Sequence, residues 1–202
     1  LGRAPPPKAD NSVGGIPVDS EYIICIIDTS GSRQRFAWGM VMQKIRETLQ
    51  VYPKVKGIQV MNDMGSYLFS QYQGRWIPDS PARRRAIVSS LSTWRAFSNS
   101  SPVEGITTAI NTFYAADKKI SLYVFGDEFS GSHIQPVVDA IDRINRADRD
   151  GGRRVRIHAV GFPVIMGKTD QPGNTGQRFA TLMRILCQRN GGTFVGLNST
   201  RP

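Results

Sequence analysis

The chain has 202 residues, of which 40% are apolar and 21% are charged, and this composition is typical of a globular protein with a sizeable core. No apolar run approaches the roughly 20 residues that a membrane-spanning helix requires, so we predict no membrane span in this sequence. The formal net charge of +10 favours acidic proteins, anionic surfaces or nucleic acid as partners, without choosing among them.

The first 20 residues, LGRAPPPKADNSVGGIPVDS, are rich in proline and glycine and contain few apolar residues. Their composition predicts a linker over residues 1–20, followed by one domain over residues 21–202. Because the sequence starts at Leu1 rather than at methionine, we expect an upstream segment that tethers the domain. The leader favours a location outside the cytoplasm, either periplasmic or secreted.

From residue 21 onward, strand and helix patterns alternate along the chain. Short apolar runs typical of buried parallel strands are YIICII, GIQVMN, ISLYVF, VRIHAVGF and TFVGL. Amphipathic helices are predicted at about residues 35–50, from Ser80–Pro81, at 103–114, from Pro136, and at 177–190. Between the second strand and the second helix, SYLFS and RWI predict a hairpin or an edge strand.

This alternation predicts an α/β fold with a doubly wound, mostly parallel central sheet, one antiparallel edge strand and helices on both faces. In such folds, ligands bind at the carboxyl ends of the strands. The segments DTSGS and GDEFSG both lie at such ends. We therefore expect the functional site at this edge of the sheet.

Asp28, Ser30 and Ser32 in DTSGS alternate, so in an extended loop their side chains would point the same way. One carboxylate and two hydroxyls form a hard ligand set that suits Mg²⁺, Mn²⁺ or Ca²⁺ rather than zinc or copper. The same residues could simply cap the helix that follows. Taken alone, the segment leaves both interpretations open.

Two further positions complete a pattern with DTSGS. Ser101 precedes Pro102 in the segment SPVEGI at a helix start, and Asp127 follows the strand ISLYVF. Together these motifs resemble the von Willebrand factor type A domain with its metal-ion-dependent adhesion site, and the resemblance extends over about residues 21–197. It implies a Rossmann-like fold and a module for adhesion or assembly that is not an enzyme.

The resemblance implies that Ser30, Ser32 and Ser101 supply hydroxyls to Mg²⁺ (or Mn²⁺ or Ca²⁺), while Asp28 and Asp127 bind it directly or through water. An aspartate or glutamate of a partner protein would take the open metal position. The sequence departs from the family pattern because Ser101 replaces threonine. Three neighbouring residues are candidates for supporting the ligands or recognising the partner, and these are Arg33, where the family commonly has methionine, Glu128 and His133.

Other functions remain open. The positive charge would suit a scaffold of this fold that binds nucleic acid or an anionic surface, although no aromatic RNA-binding pattern is visible. A metal-dependent hydrolase is less favoured, because the two histidines, His133 and His158, come without a recognisable catalytic partner. A third alternative is the same fold with a site that has lost its metal. We interpret the chain as a non-enzymatic module whose partner is a protein rather than nucleic acid.

Overall fold

The computed structural model describes residues 12–13, 16–30, 34–52, 54–147, 152–162 and 175–197. Two short strands, β1 (Ser12–Val13) and β2 (Ile16–Pro17), pair with each other in antiparallel orientation. The strands and helices that follow are β3 (Tyr22–Ile27), α1 (Gln34–Val51), β4 (Gly57–Asn62), α2 (Pro81–Thr93), α3 (Val103–Phe113), β5 (Ile120–Gly126), α4 (Gln135–Ile144), β6 (Arg156–Gly161), α5 (Thr175–Arg189) and β7 (Phe194–Gly196).

The central sheet has the strand order β4-β3-β5-β6-β7, and every pair in it is parallel. The predicted α/β class with a parallel sheet is therefore confirmed. β3 lies between β4 and β5, and all but the first of its side chains are buried. A strand covered on both faces must be apolar throughout, and this explains the continuous run of isoleucines.

Helices cover both faces of the sheet, and each face has its own core. Successive side chains of β3 point to opposite faces, so that Ile24 and Ile26 join one core while Ile23, Cys25 and Ile27 join the other. The first core also contains the apolar stripes of α3, α4 and α5, and the second contains those of α1 and α2. Both cores leave the strand ends free for polar residues.

The antiparallel edge strand that we predicted between β4 and α2 is not seen. The main chain there pairs with β4 at isolated antiparallel bridges only, namely Ile58–Ile77 and Met61–Tyr67. A short 3-10 helix at Ser70–Tyr72 and a left-handed Gly74 (φ 66°) turn the chain between the bridges. The buried Gln59 amide bonds to the carbonyl oxygens of this segment, which replaces a regular ladder with side-chain contacts.

The ends of two helices are stabilised by local sequence features. Ser80 caps α2, because its hydroxyl accepts a hydrogen bond from the Arg83 amide at 3.2 Å. Gly191 follows α5 in a left-handed conformation (φ 66°), which a glycine adopts without steric cost. No helix in the described part of the chain is long and apolar enough to cross a membrane.

The strands β1 and β2 fall inside the segment that we predicted as a linker. Near its end, Val18 is 9% exposed and joins one of the cores, and the Ser20 hydroxyl lies 2.6 Å from the Ser121 hydroxyl. The last residues of this segment therefore contact the domain. The boundary at residue 20 stays a prediction, and residues 1–11 lie outside the described part.

Candidate metal centre

Aspartates follow three neighbouring strands of the sheet at the same edge. Ile27, the last residue of β3, pairs with Asn62 of β4 and with Phe125 of β5. Asp28 and Asp63 therefore continue from paired positions, and Asp127 follows β5 directly. The parallel register brings the carboxylates of Asp28 and Asp63, which are 35 positions apart in the sequence, to the same edge of the sheet, where the rule for ligand sites predicts a site.

The Ser98 hydroxyl lies between two of these carboxylates. Its Oγ atom is 3.0 Å from Asp28 Oδ1 and 2.6 Å from Asp63 Oδ2, and it accepts a hydrogen bond from the Ser100 amide at 3.1 Å. A serine hydroxyl carries one hydrogen, so it donates fully to only one carboxylate at a time. The pair of carboxylates is therefore not fully satisfied by protein donors at this point.

Each carboxylate also has a second oxygen with no partner in the described part of the chain. Asp28 Oδ2 and Asp63 Oδ1 are buried and make no hydrogen bond with any described residue. Burial is the main cause that raises the pKa of Asp63 from 3.8 to about 6, and the negative charge of Asp28 raises it further. Buried carboxylates without a positive charge are costly, and a divalent cation between them would remove that cost.

The donor set fits a hard cation whose shell is completed by hydroxyls. Within the described ranges, no group of three or more histidine, cysteine, aspartate or glutamate side chains could hold a metal by itself. The carboxylate pair is instead accompanied by the Ser98 hydroxyl, while Ser30 and Ser101 lie next to it. Oxygen donors of these two kinds are the ones that Mg²⁺ and Mn²⁺ accept.

The predicted ligands Ser30 and Ser101 both approach the carboxylates through their main chain. The Ser30 amide donates to Asp28 Oδ1 at 2.8 Å, which fixes the orientation of that carboxylate. The Ser101 amide lies 3.4 Å from Asp63 Oδ2, and Ser101 is 9% exposed. The predicted residues Ser32 and Arg33 lie outside the described part of the chain.

The remaining candidates lie on the segment after β5. Asp127 and Glu128 are half-buried, and Glu128 Oε1 accepts a hydrogen bond from the Thr175 hydroxyl at 3.3 Å, at the start of α5. His133 is exposed, and its Nδ1 atom lies 2.8 Å from the Ser132 hydroxyl. No described contact joins His133 to Asp28 or to Asp63.

A buried polar pair holds the loop that carries Ser98 against the strand ends. The Asn62 amide donates to the Phe97 carbonyl oxygen at 2.7 Å and lies 3.3 Å from the Thr29 hydroxyl. That hydroxyl donates to the Ala96 carbonyl oxygen at 3.0 Å. Because Asn62 and Thr29 are almost completely buried, these bonds are shielded from water and fix the loop firmly.

Asp63 and Ser98 are not among the residues that the sequence motifs predicted for the site. Asp63 directly follows the strand GIQVMN, so the rule that selected Asp28 and Asp127 also applies to it. Ser98 lies in the polar run SNSS, where the sequence does not distinguish one hydroxyl from the next. Only the folded loop shows which serine faces the carboxylates.

We expect Asp63→Asn to stabilise the metal-free protein at neutral pH. A carboxyl whose pKa is about 6 when folded and 3.8 when unfolded binds its proton more tightly in the folded state, so stability is lost as pH rises through 6. The quantity to compare is the free energy of unfolding of the variant minus that of the wild type, measured in the presence of a chelator. This difference should be about 1–3 kcal/mol larger at pH 7.5 than at pH 4. Urea unfolding at the two pH values measures this, and an equal difference at both would contradict it.

Comparisons with known proteins support the fold. The sequence matches no protein-family model and no curated protein. Among solved structures, the chain is similar to a von Willebrand factor type A protein from Catenulispora acidiphila, with a TM-score of 0.64 and 12% identity over 91% of this chain. The match covers 40% of that longer chain. At this identity the likeness shows the fold alone, and that fold is the Rossmann-like α/β arrangement of a von Willebrand factor type A domain.

Proposed function

We propose that this chain is a non-enzymatic protein-interaction module, for adhesion or assembly, that binds Mg²⁺ or Mn²⁺ at the carboxyl edge of its sheet. A partner protein would supply an aspartate or glutamate carboxylate to the open metal position. The observation that carries the proposal is the carboxylate pair at the strand ends, the half-buried Asp28 and the buried Asp63, each with one buried oxygen that has no partner among the described residues. The fold supports an interaction module at a coarse level.

The residues of the site would have different roles in binding the cation. The Ser30 amide orients the Asp28 carboxylate, and Asp28 and Asp127 would hold the cation directly or through water. Ser30, Ser32 and Ser101 would supply hydroxyls. The cation would supply the positive charge that attracts the carboxylate of the partner, since the described side chains around Asp28 carry none.

The buried histidine supports a non-enzymatic role. His158 is completely buried in β6, and its Nδ1 atom accepts a hydrogen bond from the Thr193 amide at 3.1 Å. Burial is the main cause that lowers its pKa from 6.5 to about 4. A ring in this position has no access to a substrate at the strand ends. We therefore assign His158 a structural role. The other histidine of the chain is the exposed His133.

A basic scaffold is the second candidate, because a cleft of about 570 Å³ at the amino ends of the strands has a positively charged lining. Four of its five cations, namely Lys118, Lys119, Arg153 and Arg156, already form ion pairs in the same chain, however. Asp19 forms ion pairs with Lys119 and Arg156, and Asp142 forms one with Arg153. This internal neutralisation disfavours an anion site, and we therefore prefer the metal centre.

Calorimetric titration with Mn²⁺ tests the proposal. We expect one cation bound per chain and, because Asp28 would be a ligand, a loss of at least about 100-fold in affinity for Asp28→Ala. Asp117→Asn is a matched control that removes an exposed carboxylate, 79% accessible and paired with Lys118, and it should bind like the wild type. Equal heats of Mn²⁺ binding for the wild type and Asp28→Ala would contradict the proposal.

A further inference from the structure

We propose that Asp63 is an additional carboxylate of the metal centre and that Ser98 positions it there. This inference rests on the proposed function and deepens it, because it changes the charge of the site. With Asp28, Asp63 would give the cation two carboxylates that follow neighbouring strands of this chain. Such a site would bind its cation before a partner's acidic group takes the open metal position.

Burial and main-chain hydrogen bonds fix the position of Asp63. It is 1% exposed, its amide donates to the Ile27 carbonyl oxygen at 3.0 Å, and its own carbonyl oxygen accepts from the Gly105 amide at 2.7 Å. The main chain therefore holds the side chain at the end of β4, next to Asp28. Ser98 spans the gap between the two carboxylates, with both oxygen–oxygen distances at or below 3.0 Å.

The charges around Asp63 are unusual for this protein. The sequence has 26 lysines and arginines against 16 acidic residues, and the described ion pairs engage Asp19, Glu21, Glu47, Asp79, Asp117 and Asp142. No described lysine or arginine forms an ion pair with Asp63 or Asp28. Within the described residues, a half-buried and a buried carboxylate without a cationic partner are suited to a cation from solution.

The extra carboxylate has a consequence for the partner. A dication that is neutralised by aspartates of its own chain binds more tightly to that chain and attracts a further carboxylate less strongly. Cation binding would then precede partner binding and persist after the partner leaves. The contribution of the partner's acidic residue would be modest, so that specificity would depend on the surface around the site.

The test is a Mn²⁺ titration in a buffer free of carboxylates, with wild type, Asp63→Asn, Ser98→Ala and Glu104→Gln. Residues that hold or orient metal ligands typically contribute about 10–100-fold to affinity, so we expect a loss of this size for Asp63→Asn and about tenfold for Ser98→Ala. Glu104 is exposed at the start of α3 and contacts Asn99, so Glu104→Gln removes a nearby charge without touching the carboxylate pair. It should change affinity less than about threefold.

The outcomes separate this inference from the proposed function. If Asp63→Asn binds Mn²⁺ within twofold of the wild type while Asp28→Ala does not bind, the role of Asp63 is overturned and the proposed function stands. If Glu104→Gln loses as much affinity as Asp63→Asn, the effect is general electrostatics and the inference is overturned as well. If the wild type binds no Mn²⁺, the proposed function itself fails. Circular dichroism and urea unfolding of each variant verify that the compared proteins are folded.

Discussion

Alanine in place of Gly105 is expected to destabilise the protein by about 3 kcal/mol and to weaken cation binding at the same time. Gly105 lies in the first turn of α3, where the helix approaches the end of β4. A Cβ atom there would lie 2.7 Å from the Asn62 carbonyl oxygen, 2.9 Å from Ile26 Cγ2 and 3.0 Å from the Asp63 carbonyl oxygen. Two of these contacts are with main-chain atoms, which cannot rotate away, so α3 must move.

Displacement of α3 would also move the loop before it, which carries Ser98 and Ser101 to the carboxylates. We therefore expect the stability loss and the affinity loss together, measured by urea unfolding and Mn²⁺ titration. The control is Gly39→Ala in α1, where a Cβ atom would meet nothing within 4 Å. There alanine should stabilise the helix by about 0.5–1 kcal/mol. Equal stability of the two variants would contradict the proposed close packing at Gly105.

Acid is expected to destabilise the protein through His158. The ring is stacked on Tyr123 with centroids 5.0 Å apart, and its buried Nε2 atom has no described partner. Burial is the first cause of its low pKa, about 4, and the positive charge of Arg156 lowers the pKa further, while Asp19 opposes this. Since the unfolded chain protonates near pH 6.5, this contribution to stability is complete above that pH and is lost as pH falls towards 4.

The full difference between the two pKa values corresponds to about 3 kcal/mol. The measurement is the free energy of unfolding at pH 7 and pH 4.5 for the wild type, His158→Asn and His133→Asn. Asparagine keeps an acceptor for the Thr193 amide but does not titrate, so His158→Asn should lose less stability on acidification than the wild type. His133→Asn, which replaces an exposed ring, should behave like the wild type. If all three respond equally to acid, His158 is not the sensitive group.

Asp63 and His158 act in opposite directions over the same pH range. Protonation of Asp63 favours the folded state below pH 6, whereas protonation of His158 opposes folding below pH 6.5. The wild type alone would therefore show a shallow dependence on pH that hides both effects. Comparing single variants with the wild type at each pH separates the two contributions.

Much of the fold could be predicted because its signals are local. A run such as YIICII is apolar at every position, so it buries its side chains best in a strand that is covered on both faces of a sheet. The alternation of strands with helices then favours parallel connections between the strands. The edge between β4 and α2 was predicted wrongly for the opposite reason. Its short apolar segments have no strong period, and Gln59 competes with main-chain pairing through its side chain.

The site was predictable only in part. Asp28 stood out because a carboxylate directly after a buried strand needs a reason, and Asp127 followed from the same rule. Ser98 depends on how a loop of several serines folds over the strand ends, and no local pattern encodes that arrangement. Asp63 could have been selected from its position, yet its burial and its unpaired oxygen are properties of the packed structure alone.

The parallel order of the sheet has a consequence for how the molecule assembles. The hydroxyl pair between Ser20 and Ser121 lies beside the pairing of β3 with β5 and joins residues that are 101 positions apart in the chain. Closing such a long loop is slow, because the chain loses conformational entropy before the contacts that stabilise the closed loop have formed. The aspartates after β3 and β4 and the serine loop before α3 come from three separate stretches of chain, so they meet only once β3 and β4 are paired and α3 has docked. A cation that needs all three stretches would therefore bind the fully folded protein and not its partly folded states.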